Sequence, residues 1–290
     1  MKLQAKFNLA MAGAFLLGLG LAAALSWQIA NDNARQEVLR QAALIASEGD
    51  GVSLYTDQEI APLLARASPD GFAPQTIPFL ATQNVFRRIQ KDWPAYSYKI
   101  AALNPTNPMD RAADWEGDII NTFRNDPKLP QLITTRQTVA GPVLSVAKPV
   151  RITEAGCLTC HSTPDRAPQV MTALYGPSNG FGWKLGSTVA ATIVSVPMRV
   201  PLEHARQTFL VLLAALVLVF VLMVAAMNVL LRVFIVKPVG AVAAMADEVS
   251  LGKMDVPELP AKGDDEIASL AASFNRMRRS LVQALKLLDE

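Results

Sequence analysis

Two uncharged apolar runs constrain this chain more than any other feature, because a segment spanning hydrocarbon must satisfy its own backbone and therefore be helical. The first runs from Phe7 to Leu25. The second, from Phe209 to Leu231, includes the dense stretch Leu210-Val211-Leu212-Leu213-Ala214-Ala215-Leu216-Val217-Leu218-Val219. Lys2 and Lys6 precede the first run, and Arg232 and Lys237 follow the second, so the basic flanks fall on one side of a bilayer. This pattern predicts two transmembrane helices, cytoplasmic termini and an exported middle. A second reading takes residues 1–24 as a cleavable signal peptide, with Ala22-Ala23-Ala24 suiting a peptidase. The middle is exported in both readings.

The formal net charge of +2 carries topology rather than recognition, and no basic stripe marks a nucleic-acid partner. The exported segment is long enough for one domain with its own core. Val38, Leu39, Ala42, Ile45 and Ala46 share a face at spacings of three and four, which predicts a helix from Asn33 to about Glu48 continuing the first span outward. Thr56 to Pro62 carries a helix-start signal, and residues 75–78 read as loop. Thr82 to Asp92 predicts a helix with Val85, Phe86 and Ile89 on its apolar face. Tyr96 to Leu103 alternates as a strand and ends at Asn104-Pro105-Thr106-Asn107-Pro108. Asp114 to Arg124 is a further helix. Gln131–Thr138 and Val143–Val150 are strands about a Gly141-Pro142 turn, and the β-branched run 186–197 suits a central strand. Together these predict an α+β domain built on an antiparallel sheet.

Cys157, Cys160 and His161 form Cys-Leu-Thr-Cys-His, and they include both cysteines and one of the two histidines of the chain. This spacing is the attachment pattern of a c-type haem: two thiols add to the vinyl groups and the adjacent imidazole takes one axial face of the iron. Export places the pair where such haem is attached in bacteria. A disulfide beside a histidine, or a partial zinc site lacking at least one ligand, are the alternatives. For the second axial face, Met171 is the nearest methionine after the motif and is weighed against a role as core filler. His204, beside the second span, and Met198 and Met109 follow it. An open face would admit a diatomic gas. Arg151 and Lys184 are candidate partners for the haem propionates, weighed against ordinary solvated charges. Trp183, with Trp115 and Phe181, is a candidate to pack on the porphyrin or in the core. Asn179-Gly180-Phe181-Gly182-Trp183 reads as a tight turn that needs open dihedrals. No paired-carboxylate, nucleophile–base or phosphate-binding constellation is present, and Glu116 and Glu154 read as surface groups or caps. No enzymatic activity is expected.

Beyond Lys237, residues Val239, Val242, Met245, Ala246 and Val249 predict an amphipathic helix ending at Leu251-Gly252-Lys253. A linker with Pro257 and Pro260 follows. Ile267, Leu270, Phe274, Met277, Leu281, Ala284 and Leu288 then keep a three-then-four spacing, a heptad seam that asks for a partner. A homodimeric four-helix bundle satisfies it. A helix lying on lipid fits less well with Asp264, Asp265 and Glu266 at an anionic leaflet.

Pro238, Asp265-Glu266-Ile267-Ala268-Ser269-Leu270-Ala271 and Phe274-Asn275-Arg276-Met277 resemble a HAMP domain, a signal relay of bacterial transmembrane receptors. The exported part resembles the Tll0287-like family, also called DUF3365. The resemblance is carried by Lys99-Ile100-Ala101-Ala102-Leu103-Asn104-Pro105-Thr106-Asn107-Pro108, Arg111-Ala112 with Trp115-Glu116, the haem pentad and Asn179-Gly180-Phe181-Gly182-Trp183. It implies a PAS-like fold carrying c-type haem, with Cys157 and Cys160 as thioether anchors and His161 as proximal ligand. A cysteine in the early exported helix can be the second ligand in this family. No cysteine lies between Ala30 and Gly156 here, so that ligation does not carry over.

The expected organisation is a membrane helix over residues 1–30, an exported haem domain over 31–208, a second span over 209–231, a HAMP domain over 232–285 and a tail over 286–290. The expected function is a membrane sensor of redox state or a diatomic gas. As the sequence given holds no kinase, cyclase or methyl-accepting region after the relay, the expectation is a separate cytoplasmic kinase, cyclase or other effector, or a longer natural chain. A membrane-anchored c-type cytochrome that transfers electrons to a redox partner is the rival reading, and a haem-free binding module with a disulfide is the third.

Overall fold

The structure is a computed structural model that describes residues 3–67, 73–261 and 263–288. Lys2 and the last two residues of the tail lie outside the described residues, as does the side chain of Leu288. The chain divides into two compact units: Ser26–Phe209, and Met1–Leu25 together with Leu210–Glu290.

The long helix α1 (Leu3–Tyr55) does not end where a new helix start was expected at Thr56. A π-helical turn, Thr56–Ile60, passes directly into α2 (Ala61–Ala67). Thr56 there donates to the Val52 carbonyl at 2.7 Å, so its hydroxyl serves the preceding turn rather than capping a new one. A 3-10 turn at Pro74–Thr76 leads to α3 (Pro78–Asp92), opened by a proline whose fixed φ suits a first helical turn. Of its predicted apolar face only Phe86 is buried, while Val85 and Ile89 stay exposed.

Strand β1 (Ser97–Ala102) is followed by α4 (Asp114–Asn125), β2 (Leu132–Thr138) and β3 (Gly141–Arg151). The β2–β3 turn falls on Val139-Ala140, two residues earlier than expected, and Gly141-Pro142 already pairs with Gln137 and Thr138. The segment after β3 carries two short helices, α5 (Cys157–His161) and α6 (Gln169–Tyr175), before β4 (Thr188–Pro197). The sheet is antiparallel with order β1-β4-β3-β2, so the β-branched run is a central strand, as its composition predicted.

Alternation along the strands gives the sheet two covered faces. On one, Leu144, Val146, Val194 and Val196 pack with Val38, Ala42 and Ala46 of α1. On the other, Ala101, Ala147, Ala191 and Ile193 pack with Ile119, Ile120 and Phe123 of α4. Each of these larger side chains contributes about 1.5–3 kcal/mol by leaving water. The α1 face continues along the strands to Ile100, Ala102 and Ala190, where Cys157, Leu158 and Trp183 lie against it. Lys99 fixes β1 to the start of α4: its Nζ lies 2.6 Å from the buried Glu116 carboxylate and donates to the Arg111 carbonyl. The same Glu116 carboxylate accepts from the Ala113 N–H, so it is the helix cap the sequence pointed to.

Helix α7 (Arg199–Leu230) begins in the first unit and continues into the second, where a π-helical turn, Leu231–Val236, is followed by α8 (Lys237–Ser250) and α9 (Glu266–Leu288). Among the described residues, two helices are long and apolar enough to cross a membrane, Gln4–Arg66 and Arg199–Ser250. Phe15 stacks on Phe220 with ring centroids 3.6 Å apart. Asn8 and Asn228 exchange two side-chain hydrogen bonds, at 3.1 and 3.0 Å. Gly252, at φ 86°, turns the chain out of α8. Asp265 caps α9 by accepting from the Ala268 N–H, and Asn275 exchanges hydrogen bonds with both backbone groups of Leu259 in the linker. Ala268, Ala271 and Asn275 of α9 are buried, while Leu270, Met277 and Leu281 of the heptad seam are exposed.

Candidate haem site

The haem motif forms the short helix α5. Helical spacing puts Cys160 three residues and His161 four residues after Cys157, so both thiols and the imidazole share one side. Both cysteines are free and half-buried. Burial, with a smaller contribution from Cys157, raises the Cys160 thiol above its usual range.

Residues 180–183 hold His161 at three points. Its Nδ1 lies 2.8 Å from the Gly180 carbonyl oxygen. A carbonyl can only accept, so Nδ1 carries the proton and the Nε2 lone pair is available for a metal. The Trp183 N–H donates to the His161 carbonyl at 3.2 Å, and the Gly182 N–H donates to that of Ser162 at 2.9 Å. The Trp183 indole then stacks on the imidazole, with centroids 3.8 Å apart and planes 13° from parallel. Burial lowers the His161 pKa, and the Gly180 hydrogen bond opposes this more weakly. A neutral imidazole is the form that binds iron.

The Asn104–Pro108 turn closes this arrangement from outside. Asn104 Oδ1 accepts from the Gly180 N–H and its Nδ2 donates to the Phe181 carbonyl. Thr106 Oγ1 lies 3.4 Å from His161 Nδ1. Gly180 has φ +84°, and a Cβ there would stand 2.8 Å from the Thr106 Cα, so only glycine fits. Three stretches far apart in sequence are thereby assembled around one imidazole. Asn104 and Thr106 belong to the resemblance but were not among the candidate site residues; nothing local in the sequence marks a loop residue that braces a ligand through another loop.

Lys184 is exposed beside Trp183, and both line a cleft of about 480 Å³ with Arg124. Arg124 was missed by sequence reasoning; it sits in the last turn of α4, and its Nε donates to the Thr188 carbonyl at 3.0 Å. Arg151 is placed differently, with Nη2 donating to the Leu129 carbonyl at 3.1 Å and a buried Nε that has no partner among the described residues. Met171 is buried within α6. Met198 belongs to the α1-face core, Met109 is exposed, and His204 is exposed on α7.

The residues present fit a covalently held haem: two free thiols and an imidazole with its metal-binding nitrogen unclaimed lie on one side of a short helix. Among the described residues no group of three or more histidine, cysteine or acidic side chains is gathered as a metal-ion site, so a zinc centre lacks its remaining ligands.

A search of curated proteins returns no match. Among solved structures the chain is similar to one described as the crystal structure of the cyanobacterial heme-protein Tll0287, at 18% identity and a TM-score of 0.43, covering 56% of this chain and 95% of that one. Residues 230–283 match the family model of the HAMP domain. Residues 31–197, more than half of the chain and all of the site described above, match the Tll0287-like model, and the chain therefore belongs to the Tll0287-like family, with a HAMP domain following its sensor domain.

Proposed function

We propose that this protein is a haem-based sensor of the bacterial inner membrane, with its Tll0287-like domain in the periplasm, both termini in the cytoplasm, and a homodimeric HAMP bundle that passes the signal to a separate cytoplasmic effector. The single observation that carries the reading is the His161 clamp. An imidazole whose Nδ1 proton is fixed on Gly180, on a helix that also presents Cys157 and Cys160, is a preorganised axial ligand.

In this reading Cys157 and Cys160 form the thioether bonds and His161 is the proximal ligand. When bound, the haem supplies an iron whose oxidation or ligand state can change. Lys184 and Arg151 are the cations assigned to its carboxylates, and Arg124 joins them because it lines the same cleft as Lys184. Met171 is the thioether candidate for the second axial position. Trp183 restrains rotation of the imidazole, so a shift of His161 is felt by the 180–183 turn and by Asn104 behind it.

The relay needs two packings of similar free energy, one of them favoured by the altered site. The exposed seam of Leu270, Met277 and Leu281 is where a second copy would pack. Membrane-embedded full-length protein with a single cysteine at Met277 tests this. Its rate of disulfide formation between copies should differ at least severalfold between oxidised and reduced haem, or between reduced protein with and without carbon monoxide. Equal rates in all states would remove the sensor reading. A tightly held iron that ignores carbon monoxide and leaves the relay unmoved would point to an electron carrier.

A further inference from the structure

A second concavity lies apart from the haem site, between α1, α3 and β1. It has a volume of about 240 Å³, room for roughly eight waters at about 30 Å³ each, so it suits a small ligand. Its walls are aromatic: Phe86 and Tyr98 stack with centroids 4.4 Å apart, and Trp93 meets Tyr96 edge to face at 6.1 Å. These rings are fixed rather than adaptable. Tyr98 lies against the backbone of Gly49, where a Cβ would come within 2.8 Å of its ring, and the Tyr96 hydroxyl donates to Gln41 of α1 at 3.3 Å. Trp93, by contrast, is 61% exposed and offers an open indole face.

Three features give this aromatic groove a negative character. Glu48 lines it and has no ion-pair partner among the described residues. The C-terminal end of α3 closes it at Gln90 and Trp93, and a helix C-terminus carries partial negative charge on its free carbonyls. Aromatic faces attract cations through their quadrupoles, most strongly when the cation is weakly hydrated. A metal ion or an inorganic cation would find too few oxygen ligands here. An apolar neutral molecule would leave Glu48 unused.

We propose that this groove is a second ligand site, for a small organic cation of the quaternary or alkylated ammonium class, held by Trp93, Tyr96 and Glu48. Ile45 and Glu48 of α1 form one wall, so the ligand bears directly on the helix that leads toward the first apolar run. Its effect on signalling rests on the sensor reading above; its binding does not.

Calorimetric titration of the haem-loaded full-length protein with choline, and with the neutral isostere 3,3-dimethylbutan-1-ol, tests the site. Choline should bind on the order of tenfold more tightly than the alcohol. Glu48→Gln and Trp93→Leu, the latter keeping apolar bulk without a π face, should each weaken choline by a similar factor and leave the alcohol nearly unchanged. Haem absorbance of the same samples reports folding and the integrity of the other site independently. Equal binding of the two compounds, no choline binding at millimolar concentration, or full choline affinity in both variants would overturn the proposal.

Discussion

The haem-sensor domain and the unit that carries the HAMP domain are stabilised by different means. The first covers both faces of its sheet, one with α1 and one with α4, and buries Phe123, Ile120, Leu144, Val194 and Val196 almost completely. The second leaves its apolar side chains largely exposed and holds its helices through a few specific contacts: the Asn8–Asn228 pair, the Phe15–Phe220 stack and the Asn275–Leu259 exchange. A domain with a complete core can hold a ligand geometry to within fractions of an ångström, whereas helices joined by few contacts can shift between packings at low cost. Detection and relay are thus separated by the kind of packing each requires.

The largest effect that would break this contrast is expected in the core. Phe123→Ala should cost about 3–5 kcal/mol of the sensor domain's stability, read as an earlier chemical denaturation of haem-domain absorbance, while the helicity of the membrane unit persists. A cost under about 1 kcal/mol would mean that the α4 face is not a packed core.

Gly180→Ala should act on the site more than on the fold. The positive φ and the approach to Thr106 imply a destabilisation of about 1–3 kcal/mol, together with a displaced His161 and an altered haem spectrum. An unchanged spectrum would show that the Gly180 carbonyl does not orient the imidazole.

Alkaline pH separates the two regions as well. Tyr98 has its pKa pushed up to about 12, chiefly by burial and then by the charge of Asp50, with a hydrogen bond to Thr192 opposing. The unfolded chain releases this proton near the ordinary value of about 10, so stability is fully present below that and falls as pH rises toward 12. Tyr98→Phe should remove part of that alkaline slope in the sensor domain. The membrane unit should show no such change.

Asn8→Leu or Asn228→Leu should have the smallest effect, about 0.6 kcal/mol on the pairing of the two spans, since polar pairs in membranes contribute modestly. Its measure is the cross-linking efficiency between cysteines placed one turn away on each helix. No change in either variant would show that the apolar contacts alone set the register.

Much of this was legible in the sequence, and the reasons differ by region. The spans, the central strand at 188–197 and the haem pentad are strong local signals, because charge-free length, β-branched runs and fixed ligand spacing each point to one structure. The turn at Asn179–Trp183 was visible through its glycines, and Gly180 and Gly182 both have positive φ. What escaped was the assembly. Arg124 looks like any basic residue ending a helix, and its place in the Trp183–Lys184 cleft follows from the pairing of α4 with β4. The Arg151 guanidinium donates to the Leu129 carbonyl, a contact between distant segments that its position shortly before the motif does not reveal. The helix start at Thr56 was misread because a hydroxyl that bonds back to the preceding turn carries the same residue type as a cap.

The central claim is that Cys157, Cys160 and His161 hold a covalently attached haem in the sensor domain. Full-length protein produced with haem-maturation machinery, then denatured and measured by intact mass and by its pyridine haemochrome spectrum, tests it directly. The account predicts the polypeptide mass plus one haem, with a thioether-type spectrum that is lost in the Cys157→Ser, Cys160→Ser double variant. A colourless wild-type chain at the bare polypeptide mass would contradict it.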